Sequence, residues 1–393
     1  LTIGGWIAVV LTARFVRSGA FATFVAVLVG IYSMLALSMA RRFEAMSFFP
    51  VFTALHATVY INFLALSRPR MRPLPYRLLI SWPASLFTAG TLLSLPWALF
   101  SAVGIDLWGP WIPYALAALG MVQSLTTKRE SIHLVVSGAK GDHVHTLGRH
   151  PRGDAREERP LRIVQISDPH LGPFMSVARL RRIAERAVLA KPDLVFLTGD
   201  FLTMESQSDP KLLEHALEPL KKLPGKVFAC HGNHDHEAPD IVANAMTANG
   251  IKLLVDDSLV VDTDVGPVQI VGMDFKFRER KEHLESVCAA HDRAPDALRI
   301  VLLHDPGAFR YLPAGHGDLV LSGHTHGGQV GLVSLGLEWT FLSLFGTRIP
   351  DHGFWARGTD RMWIHRGTGH YGFPLRLGVP AEESVLHVHW RRD

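Results

Sequence analysis

The sequence predicts a two-part molecule: an N-terminal bundle of transmembrane helices followed by an α/β sandwich. Three observations predict it. Hydrophobic residues make up 48% of the 393 and charged residues only 19%, and the apolar excess sits in the first third. Four apolar stretches lie there, at residues 18–40, 47–66, 78–102 and 107–125. Each is close to the roughly 20 residues that a helix needs to cross the hydrocarbon core. From residue 161 onward, short β-branched runs alternate with amphipathic helical patterns, which implies a layered α/β fold. A chain of this length exceeds one compact core. Residues 1–130 therefore read as a membrane domain with four full spans, 131–160 as a linker, and 161–393 as the second domain.

In the membrane domain, Trp82, Trp97, Trp108 and Trp111 fall near the predicted span ends, where amphipathic rings prefer the interface. Pro83 and Pro96 are tolerated within membrane bundles. His56 and Asn62 read as polar groups satisfied by a neighbouring helix. The apolar run 3–11 reads as the tail of a further span whose beginning is missing. One side of the spans carries Arg14, Arg17, Arg68, Arg70, Arg72, Arg77, Lys128 and Arg129, and the other only Arg41 and Arg42. This asymmetry predicts a cytoplasmic face for the cation-rich side and for the domain that emerges from it. Net charge is +4, a mild excess that suits anionic partners without choosing among them. Cys230 and Cys288 are too few and too far apart for a disulfide framework.

The linker is polar and rich in Gly, Arg and Asp. Its His143, His145 and His150 read as solvated. Five runs in the second domain read as buried strands: 161–168, 193–200, 226–235, 299–305 and 318–326. Residues 177–189 and 211–223 read as helices between them. Each strand run ends in a polar cluster, and in α/β sheets ligands bind beyond the carboxyl ends of the strands. The clusters hold Asp168 and His170; Asp200; Asn233 and His234; His304; and His324 and His326. Carboxylate, amide and imidazole ligands suit divalent ions of intermediate hardness, such as manganese, zinc or iron. No thiolate joins them, which excludes a cysteine–zinc structural site.

The ordered set Asp-x-His, Gly-Asp, Gly-Asn-His-Asp, a lone His and Gly-His-Thr-His resembles the calcineurin-like metallophosphoesterase superfamily. Residues 323–329, Gly-His-Thr-His-Gly-Gly-Gln, are most similar to its bacterial branch of membrane-linked phosphodiesterases. The resemblance implies a two-sheet, four-layer fold and two divalent metal ions. It assigns Asp168, His170, Asp200 and His326 to one ion, and Asp200, Asn233, His304 and His324 to the other, with Asp200 bridging. It makes His234 the donor of a proton, or of a hydrogen bond, to the leaving oxygen. Two such ions activate a shared water and clamp both oxygens of an in-line displacement. The similarity continues through Arg366 and Arg376, candidate ligands for a substrate phosphate, with surface salt bridges as the alternative.

Two departures from the family pattern stand out. Thr203 occupies the place of an aspartate that supports the catalytic histidine in many relatives, so His234 lacks its usual partner, and Asp235 is the candidate substitute. Pro169 replaces a common leucine. The aromatic-rich stretch 335–345 and Trp355 read as core, with a membrane-facing lip as the alternative. The function these readings support is hydrolysis of a phosphodiester or pyrophosphate at the surface of a bacterial inner membrane. The partners are the bilayer and a substrate that is itself lipid-linked. The alternatives are a membrane sensor or transporter with a regulatory phosphoesterase-like domain, an exported enzyme, and a cytoplasmic nuclease. The last would want a basic, aromatic-studded groove that the sequence does not display.

Overall fold

A computed structural model describes residues 1–138, 141–149, 159–344 and 349–390, so His150 and Phe345 lie outside the described residues. The chain divides into two compact units. The helical unit comprises Leu1–Leu125 with two short later stretches, Met204–Ser208 and Tyr371–Leu377. The α/β unit holds the remainder.

In the helical unit, Gly19–Ala45 and Phe49–Leu66 are long and apolar enough to cross a membrane. Ser18 caps the first, its hydroxyl accepting from Phe21 N. That helix has two apolar faces. Phe21, Val25, Val29, Tyr32 and Met39 are buried among neighbouring helices, while Phe24, Val27, Ile31 and Met34 stand exposed at spacings of three and four residues. An apolar stripe facing outward on a helix of this length is what contact with lipid tails permits. The chain is a membrane protein. His56 bonds to Tyr32 Oη at 2.6 Å and Thr2 Oγ1 at 2.9 Å, so neighbouring helices satisfy it as expected.

The expectation of four full spans needs correction. The third region is a bent pair, Leu74–Leu93 and Leu95–Ala102, inclined by 41°. Pro96 sits in the first turn of its second half, where the missing N–H and the ring interrupt the helix. The fourth region yields only the 13-residue helix Ile112–Ser124. Gly109, at φ +70°, together with Pro110 and Pro113, delays its start. At 1.5 Å per residue this helix is about 20 Å long, short of the roughly 30 Å hydrocarbon core.

The α/β unit contains two face-to-face sheets. One has the order β1 (Thr127–Val135), β13 (Ala381–His389), β3 (Leu161–Ile166), β4 (Leu194–Thr198), β5 (Val227–Cys230), β6 (Lys252–Leu253). The other runs β2 (His145–Gly148), β11 (Gly353–Arg357), β12 (Asp360–Ile364), β10 (Leu319–Ser322), β9 (Leu298–Leu302), β8 (Gly266–Gly272), β7 (Asp257–Thr263). Ile163, Leu194, Phe196 and Phe228 from the first sheet meet Ile270, Ile300, Leu321 and Trp363 from the second in one buried core. Outer faces are covered by helices. Val177–Leu189 turns Ile183 and Ala187 toward Val164 and Ile166, and Arg280–Ala290 turns Leu284 and Val287 onto Val301 and Val320. All five predicted strands and the helix at 177–189 are present at these positions; the helix at 211–223 is α-helical over Lys211–Leu217 and continues as a 3-10 turn. The fold is the predicted four-layer sandwich.

The linker does not survive as predicted. The α/β unit begins at Thr126, not at 161. β1 pairs in parallel with β13 along its whole length, and β2 pairs with β11. Lys128, Arg129, His133 and His145 therefore stand on edge strands. An edge strand presents one face to solvent, so its polar alternation reads as connector when its partner, more than 200 residues away in sequence, is not in view.

Candidate metal centre

Every predicted ligand follows a strand by two or three residues, except His170 and His326, which follow their partners by two. Asp168 comes after β3, Asp200 after β4, Asn233 after β5, His304 after β9 and His324 after β10. β3, β4 and β5 run parallel to one another, as do β9 and β10, so within each sheet their ends open on one rim. The sheets are tied at that rim: Gln165 Nε2 donates to Ser322 O at 3.1 Å, and His304 Nδ1 donates to Thr198 O at 2.6 Å.

The side chains converge as two groups. Asp168, His170 and His326 present ligand atoms within 4.8 Å of one another, and so do Asp200, His304 and His324. Oδ2 of Asp200 joins the groups, lying 3.6 Å from His170 Nε2 and 3.2 Å from His304 Nε2. Oδ1 of Asp168 is 3.6 Å from His326 Nε2 and 4.0 Å from His304 Nε2. Asp168, His170, Asp200, His324 and His326 all have left-handed backbones, at φ between 45° and 68°. Each such residue costs on the order of 1 kcal/mol, so the packing of the rim holds them against local preference, a pattern typical of binding sites.

Two glycines make the convergence possible. A Cβ on Gly232 would lie 2.2 Å from Asp200 Oδ1, and one on Gly323 would lie 2.2 Å from Asp168 Oδ2. Any side chain at either position displaces a carboxylate from the ring.

The residues fit divalent cations. His304 Nε2, His324 Nδ1 and Asn233 Oδ1 are buried and make no hydrogen bond, although a buried polar atom costs free energy unless satisfied. Burial pushes His170 down to about 3 and His324 down to about 4, which keeps both imidazoles neutral, the form that ligates metals. Burial alone would also lower His304 and raise Asp200. Their mutual attraction at 3.2 Å outweighs it, raising His304 to about 10 and holding Asp200 well below the carboxylate range. Asp168 has only the weaker 4.0 Å approach to His304, and there burial prevails, raising it to about 7.

His234 stands beside the ring, its ring centroid 5.5 Å from that of His170 and its backbone N donating to Asp200 Oδ1 at 2.9 Å. The expected substitution by Asp235 is not what the structure has. Asp235 is fully buried and accepts from the backbone amides of Asp200, Phe201 and Gly232 at 2.7–2.9 Å, which fixes the ring's scaffold. Glu237 partners His234, with Oε1 2.8 Å from Nδ1. Burial would lower His234, but this bond and the charges of Asp200 and Asp235 prevail and raise it. The sequence signal was an acid three residues after the histidine, on one side of a helical turn. Thr203 donates instead to Leu171 O at 2.9 Å.

The candidate phosphate ligands are engaged with other partners. Arg366 is fully buried and paired with Glu130 and Glu382, each at 3.2 Å, in a cluster that also contains Arg149. Its charge is matched inside the protein, which corrects the picture of a guanidinium at an open groove. Arg376 is equally buried and belongs to the helical unit, where its backbone N donates to Ser124 Oγ at 2.8 Å. The sequence reading also missed His231, His236 and Asp274, a third group of ligand types. Lys276 Nζ lies 2.9 Å from Asp274, so a cation already balances that carboxylate.

Comparison with known proteins agrees with this geometry. The family model described as calcineurin-like phosphoesterase matches residues 161–328. The uncharacterized metallophosphoesterase YkuE of Bacillus subtilis is 28% identical over 234 residues, covering 58% of this chain and 78% of that protein. The phosphodiesterase YaeI of Escherichia coli is 27% identical over 239 residues, 58% of this chain and 82% of that protein. A transmembrane protein with metallophosphoesterase domain from Danio rerio is 28% identical over 239 residues, and the match spans about half of its length, 52%. Five ligand clusters in family order on one rim, with the family model laid over them, give the assignment: residues 161–328 form a calcineurin-like phosphoesterase domain, and the chain is a metal-dependent hydrolase of phosphoesters.

Proposed function

We propose that this protein hydrolyses a lipid-linked phosphodiester or pyrophosphate at the membrane surface, using two divalent ions bridged by Asp200. The observation that carries the dinuclear reading is the position of Asp200 Oδ2, which faces a histidine from each ligand group at 3.6 and 3.2 Å. Asp168, His170 and His326 would hold one ion with Asp200, and Asn233, His304 and His324 the other. Such ions, when bound, supply Lewis-acid activation of a water and neutralise charge on the phosphoryl oxygens. Manganese, zinc and iron all suit the ligand set.

The protein's own groups do the rest. Asp235 pins the amides around Asp200, so the bridging carboxylate is positioned before substrate arrives. His304 and His170 donate through Nδ1 to Thr198 O and Leu202 O, which leaves each Nε2 directed at the ring. His234 holds a proton and passes it to the leaving oxygen, and Glu237 steadies that protonated form.

We place the α/β unit on the cytoplasmic side. Arg17 donates to Leu66 O at 3.0 Å, so the arginines at 14–17 and 68–77 share one end of the helices. Arg42 pairs with Asp106 at the other. The later stretch Met204–Ser208 meets the cation-rich end, where Ser208 Oγ donates to Pro69 O at 2.7 Å. The deciding experiment is a substrate panel on the purified full chain, chelated and then supplied with manganese or zinc. It compares monoesters, soluble diesters and lipid-linked diesters. Activity on monoesters alone would overturn the proposal.

A further inference from the structure

We propose that the loop at residues 332–344 is a bilayer-inserting lip that presents the metal centre to phosphoesters held in a lipid surface. The substrate half of this inference rests on the function proposed above; the insertion half does not.

The loop is apolar at its tip and tied down at its base. Leu335 is 75% exposed, Leu337 49%, Trp339 60% and Leu344 66%. Four large apolar side chains displayed within ten residues form a patch that a soluble surface avoids. Glu338 is the only charged residue in the loop. Tryptophan between leucines is the composition found where a protein enters the interfacial layer. The stretch is therefore not the core that its composition predicts. Trp355, read with it, does pack inward, donating to His352 O at 2.8 Å.

Its backbone is prepared for an apolar phase. Leu332 N donates to Trp339 O at 2.8 Å, Phe341 N to Val330 O at 2.7 Å, and Leu335 N and Gly336 N close a turn onto Leu332 O and Val333 O at 2.9 and 3.1 Å. Internally bonded peptides can enter a bilayer surface without stranding polar groups.

The base connects to the metal ligands. Thr340, fully buried, bonds through its hydroxyl to the Asp351 carboxylate, and Thr325 Oγ1 donates to Asp351 O at 2.7 Å. Thr325 lies between His324 and His326. Ser334 N also donates to Gly378 O at 2.8 Å, which ties the loop to the segment before β13. A bilayer is the occupant this chain guarantees, because its own helices anchor it there.

The test uses the full chain in lipid nanodiscs. Leu337→Cys is labelled with an environment-sensitive fluorophore, the two native cysteines being buried. Quenching by nitroxides on the lipid acyl chains is expected. Emission typical of water, indifferent to those nitroxides, overturns the lip. A second arm compares methyl and hexadecyl p-nitrophenyl phosphate, which share the reacting bond. The wild type should prefer the hexadecyl ester. Combined Leu335→Ser, Leu337→Ser and Trp339→Ser should remove that preference by about tenfold or more and leave the methyl ester within about twofold. Loss on both esters alike overturns delivery by the lip. A quenched label with no hexadecyl preference in the wild type leaves the lip standing and removes the lipid-linked substrate.

Discussion

Glu237 Oε1 lies 2.8 Å from Nδ1 of His234, in the role that Asp235 was expected to fill. The contact is partly exposed, at 40% for Glu237 and 26% for His234, so it orients the ring more than it stores energy. Glu237→Gln should lower kcat about tenfold and leave metal content unchanged, the usual scale for a group that supports a site residue. Steady-state kinetics beside metal analysis decides it. An unaltered kcat would leave His234 without a functional partner.

Asp200→Asn should abolish metal-dependent hydrolysis and lower bound metal, because it weakens the ligand that both groups share. His234→Ala should retain metal and lose about 100-fold or more in rate. Chelation of the wild type should silence it reversibly. Full metal content and normal turnover in Asp200→Asn would refute the dinuclear arrangement, and metal loss in His234→Ala would make that residue a ligand.

Gly232→Ala should act like a ligand mutation although it removes no ligand. Its Cβ would meet Asp200 Oδ1 at 2.2 Å and Asp200 N at 2.6 Å. A weakened metal affinity with near-wild-type folding is expected. Metal titration monitored by activity and by circular dichroism separates the two; unchanged affinity would mean that the rim yields easily.

Glu382 should govern acid stability of the α/β unit. It is fully buried between Arg149, at 2.8 Å, and Arg366, at 3.2 Å. Burial alone would raise its pKa, but Arg149, His365 and Arg366 outweigh it and hold the carboxyl well below its ordinary value. A depressed folded value contributes stability above the unfolded pKa of about 4.3, and that contribution fades as pH falls through the folded value. Glu382→Gln should cost on the order of 3 kcal/mol at neutral pH by leaving buried guanidinium charge uncompensated. It should also flatten the loss of stability at acid pH. Thermal unfolding followed from pH 7 down to about pH 2 measures both, and equal destabilisation across that range would remove Glu382 from the acid limb.

The side of the membrane is open to a direct reading. A fluorescent protein fused after Asp393 should glow in intact cells, and a phosphatase that works only outside the membrane should stay silent. The opposite pattern would place the centre outside and turn attention to envelope polymers.

The sequence by itself determined the elements whose information is local. β4 is buried along its whole length, and such a strand announces itself as an unbroken apolar run. The candidate ligands sit at strand ends in fixed order, so their grouping was legible before any distance was known. Tertiary structure decided what depends on partners far along the chain. β1 and β2 became strands because β13 and β11 lie beside them. Arg366 became part of a buried ion cluster because Glu130 and Glu382 surround it. The 332–344 loop turned outward although its composition matches a core, since composition records affinity for an apolar phase without saying whether that phase is protein or lipid. Glu237 rather than Asp235 reached His234 for a geometric reason: in a tight turn the side chain three residues on returns to the same side, while its nearer neighbour points inward to the amides of Asp200 and Gly232.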